Sequence, residues 1–240
     1  MTPPACRFDL LTLHPELVRG FFAASILARA VAAGRIAVGV HDLRTWAIGR
    51  HKTADDAPYG GGPGMVMRVD VAAAGVRAVR SPECRVLLTS AAGRPFTQAD
   101  AARLAGYPHV VVLCGHYEGI DARIEGEVDE QVSLGDFVLT GGEIAAAAIV
   151  DATARLVPGV LGNALSPVEE SFASGLLEFP QYTRPREWEG QLVPEVLASG
   201  DHGRVAQWRL EQAIARTKAR RPDLWARWSS SRVDEPAGEV

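Results

Sequence analysis

Apolar residues follow two alternating rhythms along the first two thirds of the chain. Short β-branched or leucine-rich runs at residues 8–13, 36–40, 85–88, 110–114 and 128–134 read as strands. Between them, residues 15–33, 70–79, 98–104 and 142–154 carry apolar positions at helical spacing. Leu17, Phe21, Phe22, Ile26, Leu27, Ala30 and Val31 give the first helix its periodicity, and Gly34 follows as its stop. Thr97 is placed to cap the helix at 98–104. Residues 42–68 keep neither rhythm, and so long a loop in a compact domain is usually functional or mobile. Strands and helices alternate through residue 154, which predicts an α/β domain with a mostly parallel sheet.

Beyond residue 154 the pattern changes. Residues 155–186 carry four prolines and few apolar runs, so they read as a linker region. Helices are predicted at 193–197, 202–218 and 222–228, and the small polar residues 229–240 as a frayed tail. The expected organisation is an α/β domain at 1–160, a linker at 161–175 and a small helical domain at 176–240.

Two strand-like runs end in glycine about twenty residues apart. One is Val110-Val111-Val112-Leu113-Cys114-Gly115-His116-Tyr117-Glu118-Gly119; the other leads through Leu134-Gly135-Asp136-Phe137-Val138-Leu139-Thr140-Gly141-Gly142 into an alanine-rich helix. Glycine there exposes main-chain N–H and C=O groups at the carboxyl edge of a sheet, where open α/β folds bind ligands. Side by side, two such loops suit a flat polar molecule. Neither is a P-loop nor a dinucleotide fingerprint. Taken singly each makes a tight turn and no more; Tyr117, Glu118 and Asp136 beside the glycines favour a site.

Composition narrows the setting. Of 240 residues, 47% are hydrophobic and 22% charged, as in an ordinary soluble protein with a sizeable core. No apolar stretch reaches the roughly 18 residues a membrane span needs. The first residues show no signal-peptide pattern, and Cys6, Cys84 and Cys114 lack metal or disulfide spacing, so a reduced, cytoplasmic protein is expected. Net charge is −4, but residues 201–228 hold seven basic against three acidic side chains, with Trp208, Trp225 and Trp228 among them. That stripe is compatible with a phosphate backbone. Composition alone favours a solvated amphipathic helix with tryptophans packed beneath it. Residues 118–130 reverse the balance, with six acids and one arginine.

Taken together, Tyr59-Gly60-Gly61-Gly62-Pro63-Gly64-Met65, Cys114 to Asp121, Gly135 to Glu143, Pro158-Gly159-Val160-Leu161-Gly162 and Glu170-Ser171-Phe172 resemble, in this order, the bacterial tRNA (guanine-N1-)-methyltransferases of the TrmD type. The resemblance covers about residues 6–228. It implies a SPOUT-class fold with a deep trefoil knot, and S-adenosyl-L-methionine (SAM) as methyl donor. It also implies guanine 37 of tRNA as substrate, and a homodimer with shared active sites. Cofactor contacts would fall on Ser90, Gly115, Tyr117, Glu118, Gly119, Leu134, Gly135, Asp136, Phe137, Val138, Leu139, Gly141 and Gly142. The catalytic residues implied are Glu170 as general base, Arg155 as stabiliser of charge on guanine O6, and Glu118. The family pattern has aspartate where Glu170 stands, and Glu169 beside it is a competing acid. Ser90-Ala91-Ala92-Gly93 lacks the family's proline after the serine. His116 stands where some members have arginine and is given no chemical role. The acidic run at 118–130 is a candidate support for Mg²⁺, though spacing alone defines no metal site and a solvated acidic face is the simpler reading. A knotted methyltransferase acting on another RNA, or a non-catalytic RNA-binding module of the same fold, are the competing readings. The linker carboxylate argues against the first, the intact cofactor loops against the second.

Overall fold

The computed structural model describes residues 4–162 and 170–233. They fall into two compact units, divided between Ala164 and Leu165. In the first, five parallel strands form one sheet in the order β2-β1-β6-β5-β7. These are β1 (Cys6–Thr12), β2 (Ile36–Asp42), β5 (Cys84–Pro95), β6 (His109–Cys114) and β7 (Glu130–Ser133). Two-residue strands β3 (Asp55–Asp56) and β4 (Val66–Met67) pair antiparallel within the 42–68 segment, which also holds a 3₁₀ turn at Leu43–Trp46.

The sheet is covered on both faces, as parallel sheets must be. Phe8, Leu10, Val110 and Val112 pack in one cluster with Val18 and Phe22 of α1 (Glu16–Phe22), Leu27 of α2 (Ser25–Ala32) and Ile149 of the last helix of the unit. Leu11, Val86, Val111 and Leu113 pack in the opposite cluster with Val71 and Val76 of α3 (Val69–Val79). Every residue of β6 is buried, which explains its unbroken apolar run. Then come α4 (Gln98–Ala105) and α5 (Glu143–Ala154). As expected, Thr97 starts α4, and the Asp100 carboxylate accepts from the Thr97 backbone N–H at 2.9 Å. β6 and β7 flank β5 on opposite sides, so the chain reverses its winding at β5 and leaves a crevice at that strand's carboxyl end.

Three expectations need correction. The helix at 15–33 is two helices, broken where Ser25 takes φ +56°. Phe22 and Leu27 would lie about 140° apart on one continuous helix, but the apolar pairs Phe21-Phe22, Ile26-Leu27 and Ala30-Val31 recur every four or five residues, so spacing did not reveal the break. The segment at 193–197 is a 3₁₀ turn, Glu195–Ala198. The tail is helical at its start, because the last helix runs to Val233. There Ser229 and Ser230 hydroxyls donate to the Ala226 carbonyl at 3.1 and 2.8 Å, bonding back to their own helix. Residues 234–240 lie outside the described residues.

The second unit holds a short hairpin, β8 (Glu187–Trp188) with β9 (Gln191–Leu192), and two helices, α6 (His202–Arg220) and α7 (Pro222–Val233). Its tryptophans pack. Trp225 and Trp228 stack at 5.2 Å, and the Lys218 ammonium sits over Trp225 at 4.3 Å. Thr217, fully buried, accepts from the Leu177 N–H at 2.8 Å and donates to the Ala213 carbonyl at 2.7 Å.

Candidate active site

The carboxyl ends of β5, β6 and β7 surround a cavity of about 470 Å³. The two glycine loops do lie side by side. The Gly142 N–H donates to the Gly115 carbonyl at 2.7 Å, and His116 bridges to Gly141 in antiparallel fashion. Glycine is required at the junction. A Cβ on Gly142 would meet the Thr89 hydroxyl, and the Gly115 nitrogen at 2.9 Å. A Cβ on Gly141 would strike both the Glu143 carboxylate and the His116 ring.

Ser90, Gly115, Tyr117, Glu118 and Gly119 line the cavity from β5 and the loop after β6. Leu134, Gly135, Phe137, Val138, Leu139, Gly141 and Gly142 line it from the loop before α5. Asp136 is not among the lining residues. Arg155 is half-buried at the C-terminal cap of α5. Glu170 is half-buried in the second unit, and Glu169 lies outside the described residues.

Sequence reasoning gave three parts no role in the site. Thr89 ties the cavity floor, its hydroxyl donating to the Leu113 carbonyl and accepting from the Gly115 N–H at 3.2 Å. The Tyr59–Met65 segment is laced to the cavity loop. The Glu118 N–H donates to the Met65 carbonyl at 3.0 Å, and the Met67 N–H to the Gly119 carbonyl at 2.9 Å. Gly64, at φ +83°, leaves room for the Glu118 side chain. Third, buried Glu143 accepts from the Thr12 hydroxyl at 2.6 Å and stands 3.7 Å from Nδ1 of His116. Nearby, burial and the Glu143 charge push the Cys114 thiol well above its ordinary range.

Glu118, Glu125 and Asp129 of the acidic run are exposed, as in a solvated face, and four of its six acids are also paired. Arginines pair Asp121 (Arg123), Glu127 (Arg77), Asp129 (Arg80) and Glu130 (Arg85, Arg94 and Arg103). Asp121 is held down to about 2 by the Arg123 guanidinium. Among the described residues no group of three or more His, Cys, Asp or Glu is placed to hold a metal ion. Likewise, no described helix is long and apolar enough to cross a membrane.

The family model described as tRNA (Guanine-1)-methyltransferase TrmD matches residues 6–227. The chain belongs to this family. Among its relatives, a protein of Thermus thermophilus named tRNA (guanine-N(1)-)-methyltransferase is 54% identical, with 92% of each chain covered. One of Chloroflexus aggregans with the same name is 52% identical, over 95% of this chain and 90% of its own. Methyltransferases of the family take their methyl group from SAM, and the cavity suits such a molecule. Bare main chain at Gly115, Gly141 and Gly142 admits a close approach, and apolar Leu134 and Leu139 offer surface for a flat base. Glu118 and Glu125 add two carboxylates to the lining.

Proposed function

We propose that this protein transfers a methyl group from SAM to N1 of guanine 37, just 3′ of the anticodon in tRNA. The cavity between the two interlocked glycine loops, in a chain of this family, carries the reading. When bound, SAM supplies an electrophilic methyl group on a sulfonium. Ser90, Gly115, Tyr117, Glu118, Gly119, Leu134, Gly135, Phe137, Val138, Leu139, Gly141 and Gly142 hold it through main chain and apolar contact. Asp136 acts at the rim through its place in the loop.

Guanine N1 carries a proton at neutral pH and is a poor nucleophile until a base removes it. Glu170 accepts that proton, and the Arg155 guanidinium donates to O6 as negative charge grows there. The residues at hand give no step to Mg²⁺, which the family resemblance also implies. Arg216 and Arg220 of α6, with Arg221 beyond it, contact tRNA phosphates.

The active form is a homodimer in which one protomer's Glu170 serves its partner's cavity. Leu17 and Phe21 of α1 and Ile144 of α5 are 58%, 46% and 60% exposed, an apolar surface suited to a second copy. A trefoil knot is the reading for the stretch from β5 to α5. Gly142 seated on Thr89, and Gly93 against the Val132 backbone, support it. The setting is the cytoplasm, where tRNA is modified.

Incubation with methyl-labelled SAM and unmodified tRNA, followed by nucleoside analysis, tests the activity. N1-methylguanosine at position 37 is expected; label in any other nucleoside overturns the assignment. Mixing Glu118→Ala with Glu170→Ala subunits tests the shared site. Activity returns on mixing if each cavity draws on both chains.

A further inference from the structure

Among the described residues that line the cavity there is no lysine or arginine, and His116 is the one side chain able to carry positive charge. Its ring is held from several sides. His14, after β1, packs on it with centroids 4.7 Å apart, and Tyr117 meets it edge-on at 4.8 Å. Nδ1 is buried with no hydrogen-bond partner and points toward Oε2 of Glu143 at 3.7 Å. Glu143 is 2% exposed at the head of α5, and its other oxygen accepts from Thr12 at the end of β1. Thr12 is fixed in turn by the His14 N–H at 2.8 Å. Gly141 has no side chain where one would separate His116 from Glu143.

A buried carboxylate with one oxygen lacking a close partner is costly unless a cation faces it. With the Nδ1 proton turned toward Glu143, a neutral ring offers Nε2 as an acceptor, and an imidazolium offers it as a charged donor. SAM carries a carboxylate on its amino-acid end. We propose that His116 seats that carboxylate, and that Glu143, braced by Thr12, is the positioning residue that orients and charges the ring. The inference rests on the cofactor reading above. Other titratable groups facing the ring are His14, Tyr117, Glu118 on its own loop, and Cys114, whose thiol burial keeps neutral.

The test compares two ligands on the full-length protein by calorimetry. S-adenosyl-L-homocysteine keeps the amino-acid end; 5′-methylthioadenosine lacks it. His116→Gln and Glu143→Gln weaken the first by about ten- to hundredfold, the range for a hydrogen bond to a charged group, and leave the second unchanged. Thr12→Val shows the same pattern in smaller measure, and Thr12→Ser restores the parent's preference. Equal losses for both ligands, or none for either, overturn the role of His116. If the wild type binds neither ligand, the cofactor reading itself falls.

Discussion

Strand β1 touches two buried acids, and they are satisfied to different degrees. Asp9, in mid-strand, is fully buried and saturated: His41 reaches one oxygen at 2.6 Å, while His109 at 2.8 Å and Arg7 at 2.6 Å reach the other. Burial works against its charge, yet these hydrogen bonds outweigh it and hold the carboxyl well below its usual range. Gly39, its neighbour on β2, leaves the space the His41 contact occupies. Glu143, met through Thr12 at the strand's end, has one oxygen satisfied and the other 3.7 Å from an imidazole. The saturated acid lies away from the cavity; the half-satisfied one stands behind its wall. A polar group with every partner in place locks a fold, and one with spare capacity can orient a neighbouring group.

The sharpest separation between an acid for chemistry and an acid for structure comes from Glu170→Gln. Single-turnover methyl transfer falls by about two to four orders of magnitude, the range general-base catalysis supplies. Chemical denaturation of that variant stays at the parent's midpoint. Glu170→Asp keeps most of the rate; full activity in Glu170→Gln would remove the base from Glu170.

Asp9→Asn should do the reverse. It leaves buried partners without their counter-charge and costs about 3–5 kcal/mol in urea unfolding, with cofactor affinity kept in the folded fraction. The pH dependence has a fixed sign. Folding lowers the Asp9 pKa, so its contribution is full above the ordinary carboxyl value of about 3.9 and drains away as pH falls further. The variant therefore loses less stability on acidification than the parent. Equal acid sensitivity in both would make Asp9 incidental.

Gly142→Ala tests the cavity's backbone. The added methyl meets Thr89 and Gly115, and overpacking of this kind costs about 1–3 kcal/mol. Weakened cofactor binding is expected, measured by calorimetry, with tRNA affinity retained. The smallest effect belongs to the second unit. Arg216→Ala and Arg220→Ala should each lower the salt dependence of tRNA binding by about one unit of slope and spare SAM. An unchanged slope would leave α6 without a phosphate role.

Much of the first unit was readable because its signals are local. Apolar runs ending in glycine marked β6 and the loop before α5, and Thr97 marked the start of α4. The break at Ser25 stayed hidden because apolar pairs recur every four or five residues on both sides of it. The ion pairs of Glu127 and Glu130 in the acidic run were not readable because their arginines come from α3, β5 and α4, far away in sequence. His116 passed as structural because nothing beside it in the chain hints at Glu143.

By itself, then, the sequence determined the alternation of strand and helix, the two glycine loops, and the ordered motifs that place the chain in its family. Periodicity and turn chemistry act over a few residues, so one strand of text carries them. Tertiary structure alone decided which polar groups meet. Thr12 bonds Glu143 across 131 positions because α5 packs on β1, and Asp9 bonds His109 across 100 because β1 and β6 pair side by side. Whether a buried acid ends saturated or left with spare capacity depends on those neighbours, and no local pattern encodes them.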